Sequence, residues 1–158
     1  MMSMTIAAFC GSFDPITKGH LDIIERASRM FEEVYVFISI NSGKTSSFSL
    51  EQRMNWIKQS CQHLSNVHCR IQNGLSVEAC KSVNATVLIR GLRNTQDFEY
   101  EKNIAAMNTL LDPCIETINL FTKDEYANCS SSNVKELLKY HQDISRLVPE
   151  CVLKEIEK

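Results

Sequence analysis

Five short runs of apolar and β-branched residues punctuate the chain, at Met4–Cys10, Val34–Ile40, Val67–Ile71, Thr86–Ile89 and Thr117–Phe121. Several are apolar on consecutive residues rather than alternating, which is the pattern of a strand covered on both faces. Between the runs, apolar positions recur at helical spacing. Ile24, Ala27 and Phe31 form one stripe, and Leu50, Met54, Ile57, Cys61 and Leu64 form a second. Phe98, Ala105 and Leu111 fall in a third amphipathic segment, from about Thr95 to Leu111, and Val134, Leu137, Leu138 and His141 make a fourth. Strands alternating with helices predict right-handed β-α-β units and an α/β fold, a doubly wound parallel five-stranded sheet with helices on both faces. Ligands in such folds bind beyond the carboxyl ends of the strands, where the strand order reverses.

Composition narrows the class. The chain has 158 residues, 44% of them hydrophobic and 23% charged, which excludes a disordered chain and suits a single domain over residues 1–158. A formal net charge of -2 gives no support to a general nucleic-acid or anionic-membrane binder, so any anion site must concentrate its positive charge locally. No run approaches the ~18 apolar residues of a membrane span. Met1 to Phe13 also lacks the basic start of a secretory signal, and the expected location is cytoplasmic.

Seven cysteines, an odd number without a C-x-x-C pair, read as small core residues rather than a disulfide framework. Cys61, His63, His68 and Cys69 are close in sequence, but the spacing suits zinc poorly. Cys61 and His63 would diverge near a helix end, and adjacent His68 and Cys69 would point to opposite faces of a strand. They are expected to be core or surface residues, and no metal-ligating set is expected.

The residues that suit chemistry fall at strand ends. The first run leads into Gly11-Ser12-Phe13-Asp14-Pro15-Ile16-Thr17-Lys18-Gly19-His20. Thr17 is placed to cap the next helix, which puts Gly19 and His20 in its first turn, among free N–H groups that favour an anion. The fourth run is followed at once by Arg90-Gly91-Leu92-Arg93. Two guanidinium groups there need anionic partners. Those could be phosphates, or an internal carboxylate such as Asp97, Glu99 or Glu101. Lys44 occupies the equivalent loop after the second run, and Ser130-Ser131-Ser132 opens a helix after the fifth. Asn133 with Glu136 could equally form an ordinary capping box there. Neither a Walker-type loop nor a G-x-G-x-x-G fingerprint is present, so a nucleotide would be held in another way.

With these residues in view, Gly11-Ser12-Phe13-Asp14-Pro15 and Gly19-His20 resemble the first signature of the nucleotidyltransferases that share a Rossmann-like catalytic core with class I aminoacyl-tRNA synthetases. Ser130-Ser131-Ser132-x-Val134-Lys135 looks like the second. Thr86–Arg93 with Asp97-Phe98-Glu99-Tyr100-Glu101 is similar to the narrower family of bacterial phosphopantetheine adenylyltransferases. The resemblance implies transfer of the adenylyl group of ATP to 4′-phosphopantetheine with magnesium, in a homohexamer subject to feedback by coenzyme A.

By the same resemblance His20, Lys44 and Arg93 are catalytic, and Ser12, Lys44, Ser76 and Arg90 hold the acceptor. Leu75 falls beside Ser76, where the family contacts the pantetheine arm. ATP would meet Ser12, Phe13, His20, Gly91, Leu92, Arg93, Glu101, Tyr126, Ala127, Asn128, Cys129, Ser130, Ser131 and Ser132. The chemistry fits such a site. A phosphate monoester with a second pKa near ~6 is already largely dianionic at neutral pH and needs no general base, so positioning and charge neutralisation supply the catalysis.

Overall fold

The computed structural model describes residues 4–40 and 45–157. Strands and helices follow in the order β1 (Ile6–Gly11), α1 (Lys18–Met30), β2 (Glu33–Ser39), α2 (Leu50–Ser60), β3 (Val67–Gln72), α3 (Ser76–Ser82), β4 (Val87–Leu92), α4 (Thr95–Leu111), β5 (Glu116–Phe121), α5 (Ser131–Lys139) and α6 (Glu150–Ile156). Every ladder is parallel, and the strands lie in the order β3-β2-β1-β4-β5. The chain therefore winds one way from β1 to β3, then crosses back to lay β4 along the free edge of β1. Strand order reverses between β1 and β4, and the crevice expected of a doubly wound sheet opens at their carboxyl ends.

The run of apolar residues in β1 serves two cores at once. Ala7 and Phe9 join Ile24, Val34, Val36, Trp56 and Val134 on one side of the sheet. Ile6, Ala8 and Cys10 join Phe37, Val77, Cys80, Leu88 and Ile115 on the other. Five of the cysteines (Cys10, Cys61, Cys69, Cys80 and Cys129) are buried, and burial pushes the Cys61 and Cys80 thiols up to about 12. His63 instead meets Glu25 at 2.9 Å and His68 meets Glu33 at 2.6 Å, so the Cys/His cluster divides between core and surface pairs.

Several expectations need correction. β4 runs through Leu92, so Arg90 and Gly91 belong to the strand rather than to a loop after it. The short helices α3 and α6 escaped the periodicity, because seven residues present too few apolar positions to register a stripe. β5, an edge strand, is largely exposed rather than covered. The stripe on α4, which could serve core or interface, faces outward: only Glu101 is buried on that helix, while Phe98, Met107, Leu110 and Leu111 are exposed. α5 ends at Lys139, which leaves His141 beyond the helix with φ 56. Its N-cap is Ser130, whose hydroxyl accepts from the Asn133 amide, in place of an Asn133–Glu136 box.

Candidate active site

The loop leaving β1 crosses the switch point and delivers the chain to α1. Thr17 caps that helix as expected, and the cap is reciprocal. Its side chain accepts from the His20 amide at 3.2 Å, while its own N–H donates to His20 Nδ1 at 3.0 Å. The Thr17 hydroxyl also donates to the Cys129 carbonyl at 3.3 Å, tying the start of α1 to the loop before α5. Gly19 permits that approach, since a Cβ there would stand 3.2 Å from Cys129 Cβ.

These contacts define the state of the imidazole. Nδ1 accepts a hydrogen bond, so the ring proton sits on Nε2, which is left free to donate. Burial, reinforced by the positive charges of Arg93 and Arg90, lowers the His20 pKa to about 4. The ring is therefore neutral at physiological pH. Phe13 meets it edge-on, with ring centroids 5.0 Å apart.

A cavity of about 420 Å³ opens beside this ring. Ser12, Phe13, Gly19 and His20 from the first loop and α1, Arg90 and Gly91 from β4, Arg93 just after it, Glu101 from α4, and Cys129–Ser132 before and within α5 all line it. Thus most of the expected residues converge, although their separation in sequence exceeds a hundred positions.

Both arginines also have the carboxylate partners weighed from the sequence. Arg90 places Nε and Nη2 each 2.7 Å from a Glu101 oxygen, and its Nη1 donates to the Cys10 carbonyl at 2.7 Å. Burial opposes the charge of Arg90, but the Glu101 carboxylate outweighs it and keeps the guanidinium protonated. Arg93 pairs with Asp97 through Nε at 3.0 Å. The arginines are thus held by carboxylates and still face the cavity, with spare N–H groups for an incoming anion.

Other expected residues stand apart. Lys44 lies outside the described residues. The chain is next seen at Thr45, and the Ser47 and Phe48 amides donate to the buried Asp14 carboxylate at 2.8 and 3.0 Å. Leu92, Tyr126, Ala127 and Asn128 are not among the cavity's lining residues. Nor is Ser76, which opens α3, while Leu75 borders a separate, smaller hollow with Ile71 and Glu78. The Ser131 hydroxyl donates to the Pro15 carbonyl at 2.8 Å and Ser130 serves as cap, so these two brace the site as well as lining it.

Asp97, Tyr100 and Thr122 are among the lining residues that were not expected as ligand contacts. Thr122 follows β5 directly, so the strand-end rule applied to β1, β2 and β4 would have found it.

Residues 8–137 match the cytidylyltransferase-like family. Among solved structures, the chain is similar to a candidate nicotinate-nucleotide adenylyltransferase from Vibrio parahaemolyticus, with 20% identity over 96% of this chain and 91% of that one, at a TM-score of 0.72. It is also similar to a lipopolysaccharide core biosynthesis protein from Thermoplasma volcanium, with 18% identity over 77% of this chain and all of that one, at a TM-score of 0.59. At these identities the likeness is one of fold.

Proposed function

Since the chain belongs to the cytidylyltransferase-like nucleotidyltransferases, we propose that it transfers the adenylyl group of ATP to 4′-phosphopantetheine, giving dephospho-coenzyme A and pyrophosphate. The observation that carries the reaction type is the neutral His20, at the first turn of a helix, its Nε2–H unpartnered among the described residues, lining one cavity with Arg90 and Arg93. The acceptor is supported by the resemblance of Thr86–Arg93 and Asp97–Glu101, and in this reading Arg90, which lines the cavity, takes its phosphate.

In this reaction an acceptor phosphate oxygen bonds to the α-phosphorus of ATP as the bond to the bridging oxygen of the β-phosphate breaks, and the electron pair departs with pyrophosphate. His20 Nε2–H donates to a non-bridging α-phosphate oxygen as charge builds there. Arg93 and the helix starts of α1 and α5 hold the remaining ATP phosphates, and Arg90 with Lys44 holds the attacking group. No side chain is required to remove a proton.

Magnesium belongs to the ATP in this reading. Among the described residues no group of three His, Cys, Asp or Glu is placed to hold a metal, and both lining carboxylates with described partners are occupied by arginines. An ion carried on substrate phosphates and water needs no such group.

Purified protein, ATP and a panel of phosphomonoesters, scored by pyrophosphate release, test the proposal. Phosphopantetheine should be the best acceptor. The second reading, favoured by the fold likeness to a candidate nicotinate-nucleotide enzyme, predicts a mononucleotide instead, and glycerol 3-phosphate completes the panel. Coenzyme A, which carries both product halves, should compete. Self-association as a homohexamer would cover the exposed Phe98, Leu110 and Phe121 of α4 and β5, and light scattering would give its mass. No described helix is long and apolar enough to cross a membrane.

A further inference from the structure

Arg53, on α2, lies outside the cavity and is only 5% exposed. Among the described residues no carboxylate stands within ion-pair distance of it, and its Nε has no hydrogen-bond partner. A buried guanidinium usually keeps an anionic partner, because losing water costs more than one neutral hydrogen bond returns. Among the described residues the guanidinium makes one hydrogen bond, from Nη1 to the Ser12 carbonyl at 2.9 Å.

That carbonyl belongs to the peptide joining Ser12 to Phe13. Phe13 has φ 46, a left-handed conformation that is strained for an aromatic residue and persists only where its surroundings enforce it. The peptide is trans, so its N–H points away from its carbonyl. Fixing the carbonyl on Arg53 therefore turns the Phe13 amide away from α2. Among the described residues that amide donates no hydrogen bond, and Ser12 and Phe13 both line the cavity.

We propose that Arg53 is a positioning residue that aims the Phe13 amide at an anionic oxygen of the bound nucleotide, and that its uncompensated burial is retained at the expense of stability. The inference rests on the nucleotidyl-transfer reading only in taking the anion to be a phosphate of ATP.

Two variants of the full chain test it. R53M keeps most of the volume and removes the charge, and R53K keeps the charge and one donor. R53M should bind ATP roughly three- to tenfold more weakly by calorimetry, the loss of one well-aligned hydrogen bond. Its melting temperature should be unchanged or raised, and R53K should recover most of the affinity. A markedly lowered melting temperature or unfolded R53M would make Arg53 a structural residue and overturn the proposal. So would ATP affinity equal to wild type, or R53K binding no better than R53M. Failure of the wild-type protein to bind ATP would instead sink the nucleotidyl-transfer reading itself.

Discussion

The backbone N–H of Thr17 is 3.0 Å from Nδ1 of His20, so the cap of α1 also selects the tautomer of the imidazole. The same two residues that cap the helix thereby decide which ring nitrogen can donate to a substrate. Charge is excluded from the ring by burial and by the two arginines, which leaves a neutral donor. Such a group stabilises negative charge without exchanging its proton.

A pH dependence follows with a definite sign. The folded-state pKa of His20, about 4, lies below its ordinary value of 6.5. Between these values the unfolded chain binds the proton and the folded one does not. The neutral ring's contribution is fully present above pH 6.5 and is lost as pH falls toward 4. Denaturant titrations across this window should show a shallower decline for His20→Gln than for wild type. Ring-proton resonances of His20 should not titrate between about pH 5 and pH 8.

Turnover should depend on the donor far more than ATP binding does. His20→Ala should lower kcat by at least ~10²-fold with ATP affinity nearly unchanged, since one preorganised donor contributes about 2.7–4 kcal/mol in the transition state. Equal losses in kcat and in ATP affinity would count against a transition-state role.

Glu101 was expected to contact ATP, yet both of its oxygens lie on Arg90 and the residue is 6% exposed. Its substitution should therefore copy that of Arg90. Arg90→Ala should raise the acceptor KM by roughly tenfold or more, in the range of a lost charge-assisted hydrogen bond. Glu101→Gln should shift the same constant by less. Steady-state kinetics with each substrate varied in turn would reveal the opposite pattern if Glu101 answers mainly to ATP.

The core beneath the site should behave as close-packed matter. Ile24 on α1 is fully buried against β1 and β2 residues, and Ile24→Ala should cost about 2–5 kcal/mol in urea unfolding. A cost under 1 kcal/mol would mean that the side chain is not packed as described.

Much of this was legible along the chain because the governing signals are local. The consecutive apolar residues of β1 announce a strand buried on both faces, and Thr17 three positions before His20 announces a capped helix. The strand-end rule groups His20, Arg90, Arg93 and Ser130 from the sequence alone. What could not be read depends on contacts between distant segments. Arg53 carries no motif, and only the fold sets its guanidinium beneath the Ser12 carbonyl. The pairing of Arg90 with Glu101 rather than Glu99 depends on which side of α4 faces the sheet. The exposure of Phe98 and Leu111 was equally hidden, because an apolar helical stripe looks the same whether it meets this chain's own core or lies open.

The hydrogen bond from Ser131 to the carbonyl of Pro15 spans 116 positions. On the ribosome, the first loop is made early and can lean on the Ser47 and Phe48 amides and on Arg53, but its Pro15 carbonyl does not meet Ser131 until the opening of α5 leaves the exit tunnel. A nascent chain halted before that point can lay down β1 through β5 and still lack the far wall of its cavity. Competence for substrate therefore arrives late in synthesis, after the whole sheet has been translated.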